Sequence, residues 1–141
     1  MGKAGSAPTA QGSILYDIIN DIVIDVRIKP LSVDERTIAK AHIDNSKDLM
    51  PDGKKLIIFD RSYPSFELIK KLKDDEYYYL MRVKIKFNKE IDAQTETDGY
   101  IWYERNGERL HIRVIKFLLD SGETEMLITN ITDKRFGITA F

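Results

Sequence analysis

The run Lys54-Lys55-Leu56-Ile57-Ile58-Phe59-Asp60 constrains this chain more than any other segment. Unbroken apolar residues closed by a carboxylate are the pattern of a strand buried on both faces, and such strands occupy the middle of α/β sheets. Residues 54 to 60 are therefore expected to form a central strand. Asp60 would then stand at its carboxyl end, where sheets of this kind expose catalytic groups. The plainer alternative is an aspartate in a strand-to-helix turn that caps the next helix.

The surrounding pattern alternates strands and helices. Residues 1 to 12 are small and polar and read as a flexible lead-in. SILYDIIN (13 to 20) and DIVIDVRIK (21 to 29) are rich in β-branched residues and meet at Asn20-Asp21, which predicts an antiparallel hairpin beside the central strand. Ser32-Val33-Asp34-Glu35 has the form of a capping box, and the helix it opens runs to about Ser46 with Ile38, Ala39, His42 and Ile43 on one stripe. Asp52-Gly53 marks a turn.

Ser62-Tyr63-Pro64 predicts a second helix start, with Phe66, Leu68, Ile69 and Leu72 on its buried side. YYYLMRVKIKF (77 to 87) reads as one strand, with Met81, Val83, Ile85 and Phe87 on one face and Arg82, Lys84 and Lys86 on the other. GYIWYE (99 to 104) and RLHIRVIKFLL (109 to 119) flank the hairpin turn Asn106-Gly107, and Asp120-Ser121-Gly122 leads to EMLITNI (125 to 131).

Composition narrows the function classes. With 43% apolar and 32% charged residues over 141 positions the chain is a globular domain, neither disordered nor fibrous. It contains no cysteine, so any metal site is built from oxygen or histidine ligands. No stretch has signal-peptide or membrane-span length, which makes the cytoplasm the expected location and a membrane partner unexpected. A net charge of −1 argues against nucleic-acid binding by bulk electrostatics, so only a local basic surface could support it.

Asp60 is by position the candidate catalytic residue. Arg61, Arg82, Lys84 and Lys86 are candidate phosphate contacts, against the alternative of a solvated strand face. Trp102 is a candidate for stacking on an unpaired base, although a single tryptophan in a strand more often packs. His42 and His111 lack neighbours at ligand spacing and are read as structural. No Gly-rich phosphate loop, nucleophile elbow or zinc pattern occurs.

Several blocks, taken in order, carry a resemblance. Gly12-Ser-Ile-Leu-Tyr-Asp17-Ile-Ile-Asn20, Asp34-Glu35-Arg36 with His42, and Phe59-Asp60-Arg61-Ser62-Tyr63-Pro64-Ser65 resemble consecutive blocks of bacterial DDE transposases of the insertion-sequence-four-like group. Leu80-Met81-Arg82-Val83-Lys84 and Ile128-Thr129-Asn130-Ile131 are similar to two further blocks, so the likeness spans about residues 10 to 133.

The resemblance implies a ribonuclease-H-like α/β fold. Residues 13 to 90 would be a partial catalytic core, 91 to 132 a β-rich insertion after the fifth strand, and 133 to 141 the start of a link back to the core. Asp60 would be the second aspartate of the DDE triad, its metal binding assigned only by this resemblance, and Ser62 stands where the family usually has glycine. The implied activity is Mg²⁺- or Mn²⁺-dependent cleavage and joining of DNA by a homodimer assembled on the terminal inverted repeats of its element. Two-ion phosphoryl transfer needs several hard oxygen ligands flanking and bridging both ions, and one aspartate holds Mg²⁺ feebly.

Two departures set the expectation for this chain. The strand carrying the first triad aspartate, which precedes the hairpin in the family, has no counterpart here, and neither has the Tyr-x2-Arg-x3-Glu-x6-Lys pattern that carries the glutamate. The chain as given is therefore expected to be an inactive fragment of an active parent, a Mg²⁺ site arising only in the full-length protein. The alternatives are a truncated, non-catalytic DNA-binding or regulatory remnant of a mobile element, and an unrelated small α/β binding domain.

Overall fold

A computed structural model describes residues 9–49 and 55–133. The chain divides into two compact units, Met1–Asp52 and Gly53–Phe141.

In the first unit β1 (Ala10–Asp17) and β2 (Ile22–Pro30) pair antiparallel, with a bulge at Leu15/Tyr16. β1 begins within the stretch expected as lead-in. The connection is a four-residue loop rather than a tight turn at Asn20-Asp21, because the Asp17 carboxylate accepts from the Ile19 and Asn20 amides, each at 3.0 Å. Asp21 closes the loop in the left-handed region at φ 57°.

α1 (Glu35–Ser46) follows. Its cap is Asp34, accepting from the Arg36 amide at 2.7 Å, rather than the expected Ser32. The register Ser13↔Arg27 and Leu15↔Asp25 puts these residues on one face of the hairpin, and α1 binds that face through polar groups. His42, 4% exposed, bonds Asp25 through Nδ1 at 2.7 Å and Ser13 through Nε2 at 2.8 Å, while Arg27 donates to the Ala41 carbonyl. The expectation that His42 is structural thus gains its partners from β1 and β2, which spacing along the chain could not reveal. The expected Asp52-Gly53 turn lies outside the described residues.

The second unit is a five-stranded sheet in the order β3-β4-β7-β6-β5. β3 (Leu56–Phe59) runs parallel to β4 (Tyr78–Val83), with α2 (Phe66–Asp74) as the crossover that a parallel pair requires. After α3 (Lys89–Ala93), the strands β5 (Asp98–Arg105), β6 (Glu108–Leu118) and β7 (Thr124–Thr129) form an antiparallel meander. β7 joins the meander to β4, so the expected insertion and the β3–β4 pair share one sheet.

The join is reinforced by side chains. Thr129 Oγ1 donates to the Tyr79 carbonyl at 2.6 Å, and the Asn130 amide bonds both Tyr79 N–H and the Tyr77 carbonyl. Below it, Leu68, Ile69, Leu72, Met81, Ile91, Ile112, Ile115 and Ile128 form the closed core.

Four sequence expectations are corrected here. Among the described residues β3 is an edge strand rather than a central one, and the hairpin lies in its own sheet. On β3 Ile57 and Phe59 are buried while Leu56 and Ile58, on the opposite face, are exposed, so the apolar run marks a strand without two covered faces. α2 starts after Ser65, whose hydroxyl accepts from the Leu68 amide, and not at Ser62-Tyr63-Pro64. The strand expected over 77 to 87 ends at Val83. The chain turns through Lys86 at φ 69°, and Asn88 caps α3 by accepting from the Ile91 amide. Burying Ile91 completely outweighs the local alternation, which leaves Ile85 66% exposed.

Candidate functional site

Asp60 follows the last residue of β3, and β4 lies alongside with Phe59 opposite Met81. Arg82, the next residue of β4, is thereby set next to Asp60, with Nη1 3.4 Å from Oδ1. The Asp60 carboxylate is 68% exposed. The expected exposed acid at a strand tip is present, though on an edge strand.

The next strand supplies a residue that sequence reading missed. β7 pairs Arg82 with Leu127, which makes Glu125 the diagonal neighbour of Arg82 on the same face. Glu125 is 5% exposed and accepts from Arg82 Nε at 2.7 Å and Nη2 at 3.2 Å. It also accepts from Arg61 Nη2 at 2.8 Å. The Arg82 fork holds Glu125 below the ordinary carboxylate range; desolvation opposes the shift and Arg61 adds to it. The same contact raises Arg82 further. One signal was available in the sequence: two steps along a strand return to the same face, so Glu125 had to share its side with Leu127 and Thr129.

The expected basic surface is only partly assembled. Arg61 and Arg82 stand together around Glu125, while Lys84 and Lys86 fall beyond the strand end and are exposed. Trp102 is far from this cluster, because β3 and β5 are opposite edges of the sheet. Four inter-strand spacings separate them, roughly 19 Å.

Trp102 is nevertheless not packed in the core. It is half exposed and stacks on His111 at 4.6 Å, with Tyr100 on His111 at 4.9 Å and the Arg109 guanidinium 4.4 Å from the indole centre. These groups form a continuous ladder across β5 and β6, with Tyr100 and Trp102 about half exposed.

DDE transposases as a family generally use divalent metal ions. The described residues do not by themselves fit one. Asp60 is a single oxygen ligand beside a guanidinium, Glu125 is enclosed by two arginines, and among the described residues no three His, Asp or Glu side chains form a group able to hold an ion.

The family-model comparison supports the broader part of the resemblance, a DDE transposase. A solved piggyBac transposase synaptic complex with hairpin DNA is similar at 8% identity and a TM-score of 0.49, over 88% of this chain. This chain spans 33% of that one. No curated protein sequence matches. Among the described residues no helix is long and apolar enough to cross a membrane. The family model for the transposase DDE domain matches residues 3–135, nearly the whole chain, and the chain therefore belongs to the DDE-domain transposases.

Proposed function

We propose that this chain is the middle of the catalytic core of an insertion-sequence transposase of the insertion-sequence-four-like group, and that Asp60 is the second carboxylate of its DDE triad. The observation that carries the reading is the exposed Asp60 carboxylate at the end of β3 with Arg82 at its side, in a chain of this family. An acid beside a cation at an open strand tip suits a reaction in which a phosphodiester must be gripped and attacked. The parent activity is Mg²⁺-dependent DNA strand cleavage and joining at terminal inverted repeats, carried out in the cytoplasm by a homodimer on paired ends.

On this reading the core is ribonuclease-H-like, and the other two carboxylates come from parts of the transposase beyond these elements. The edge of β3 opposite β4 is unpaired among the described residues, and an unpaired edge is a template for a further strand. A strand added there would bring a side chain next to Asp60. Arg61, Arg82, Lys84 and Lys86 act as phosphate contacts, and Trp102 as a stacking surface for an unpaired base.

Two assays test this. The 141-residue chain should neither cleave nor join DNA with Mg²⁺ or Mn²⁺. In the intact transposase Asp60→Ala should abolish cleavage, a loss of roughly 10³-fold or more. Undiminished cleavage by that variant would sink the assignment. Duplex binding without any cleavage by the intact protein would favour the non-catalytic remnant, the reading in keeping with a single carboxylate.

A further inference from the structure

We infer that Glu125 is a positioning residue, which locks the Arg82 guanidinium so that its free end meets a DNA phosphate lying at Asp60. This deepens the site proposed above and rests on Asp60 being a phosphoryl-transfer carboxylate.

An arginine has two hydrogen-bonding edges. Glu125 takes the side edge of Arg82 as a bidentate pair, Nε to Oε1 at 2.7 Å and Nη2 to Oε2 at 3.2 Å. Nη1 is left pointing outward, 3.4 Å from Asp60. That separation lies beyond a good hydrogen bond, so Nη1 stands beside Asp60 without being consumed by it. Arg82 is 44% exposed, whereas Glu125, which takes its side edge, is 5% exposed.

Glu125 is poorly placed to act on a ligand itself. It is 5% exposed and its oxygens are shared between Arg82 and Arg61, the latter at 2.8 Å. Two guanidiniums cover the buried acid, and with Asp60 the four side chains sum to zero net charge, so the cluster adds no net attraction for a phosphate. What the arrangement supplies is orientation. A guanidinium fixed in advance loses little rotamer freedom on gripping a phosphate, whereas an untethered one must be ordered at that moment.

Bulk electrostatics makes the opposite prediction, because Glu125→Gln removes a negative charge and should only strengthen DNA binding. The test is a double-mutant cycle on the 141-residue chain, titrating a mixed-sequence duplex oligonucleotide at several salt concentrations. In the parent chain Arg82→Ala should weaken binding about tenfold and reduce the salt slope by about one. In the Glu125→Gln background the same change should weaken it less than about twofold and leave the slope unaltered.

Equal effects of Arg82→Ala in both backgrounds overturn the inference, and so does the absence of an effect, or of binding, in the parent. If Glu125→Gln fails to give a cooperative melt, Arg82→Lys decides. It keeps the charge and loses the fork, so it should match Arg82→Ala; a lysine variant that binds like the parent refutes positioning. Asp60→Asn in the intact transposase is the separate control. If cleavage survives there, the assignment of Asp60 fails, whatever the cycle has shown.

Discussion

At the scale of single residues, the buried charges among the described residues are completed by hydrogen bonds. Arg113, 2% exposed, forks onto Asp98 at 2.8 and 2.7 Å and donates its remaining edge to the Ile131 and Asp133 carbonyls. Glu125 is satisfied in the complementary way, by two guanidiniums. Its depressed pKa has a consequence for acid stability. A carboxylate lowered by folding stabilises the native state above its unfolded pKa, about 4.3, and that contribution disappears as pH falls through the lower folded value. Melting temperatures of the parent should therefore drop faster than those of Glu125→Gln between about pH 5 and pH 3. Asp25, for which burial pulls upward but bonds from His42 and Arg27 prevail downward, is common to both proteins and cancels in the comparison. Parallel curves would show that the arginine bonds to Glu125 do not hold in solution.

At the scale of elements, helix starts are chosen by which side chain can reach an open amide after the fold has set the chain direction. Asp34 and Ser65 do so; Ser32, which the local pattern favours, does not cap, and no helix starts at Ser62-Tyr63-Pro64. Asp34→Ala and Ser65→Ala should each lower unfolding free energy by about 1 kcal/mol, while Ser32→Ala should stay within about 0.5 kcal/mol. Urea denaturation of the three variants checks the order, and a Ser32→Ala loss equal to that of Asp34→Ala would restore the capping box. The turn at Asn106-Gly107 shows the opposite case, where local preference and structure agree. Both residues adopt positive φ, 51° and 78°, as a two-residue hairpin loop demands.

At the scale of the whole molecule, each sheet leaves part of itself uncovered. In the first unit α1 takes the Ser13, Asp25 and Arg27 face of the hairpin, so Ile14, Val26 and Ile28 stand on the opposite face, all more than half exposed. Thr suits strands as well as Val or Ile and carries less apolar surface. The double change Val26→Thr and Ile28→Thr should therefore leave stability within about 1 kcal/mol and reduce binding of an apolar dye. A loss above about 2 kcal/mol would mean that these side chains are buried in solution. In the second unit the uncovered parts are the β3 face carrying Leu56 and Ile58, the edge of β3 that is unpaired among the described residues, and the aromatic ladder of β5 and β6.

The chain's own pattern determined most strands and the first two helices, though not α3, together with the Asn-Gly hairpin, the helical stripe of Ile38, Ala39, His42 and Ile43, and the exposed acid after Leu-Ile-Ile-Phe. These are set by periodicity, turn chemistry and propensity, which act over a few residues. Strand order, the edge position of β3, the end of β4 at Val83 and the Arg61–Glu125–Arg82–Asp60 cluster were decided only by tertiary structure. Glu125 lies 43 residues from Arg82 and 64 from Arg61, and nothing in a local pattern encodes a partner at that distance. The physical reason is that the energy of a buried charge depends on which groups the sheet register brings opposite it, and register is a property of paired strands rather than of either one.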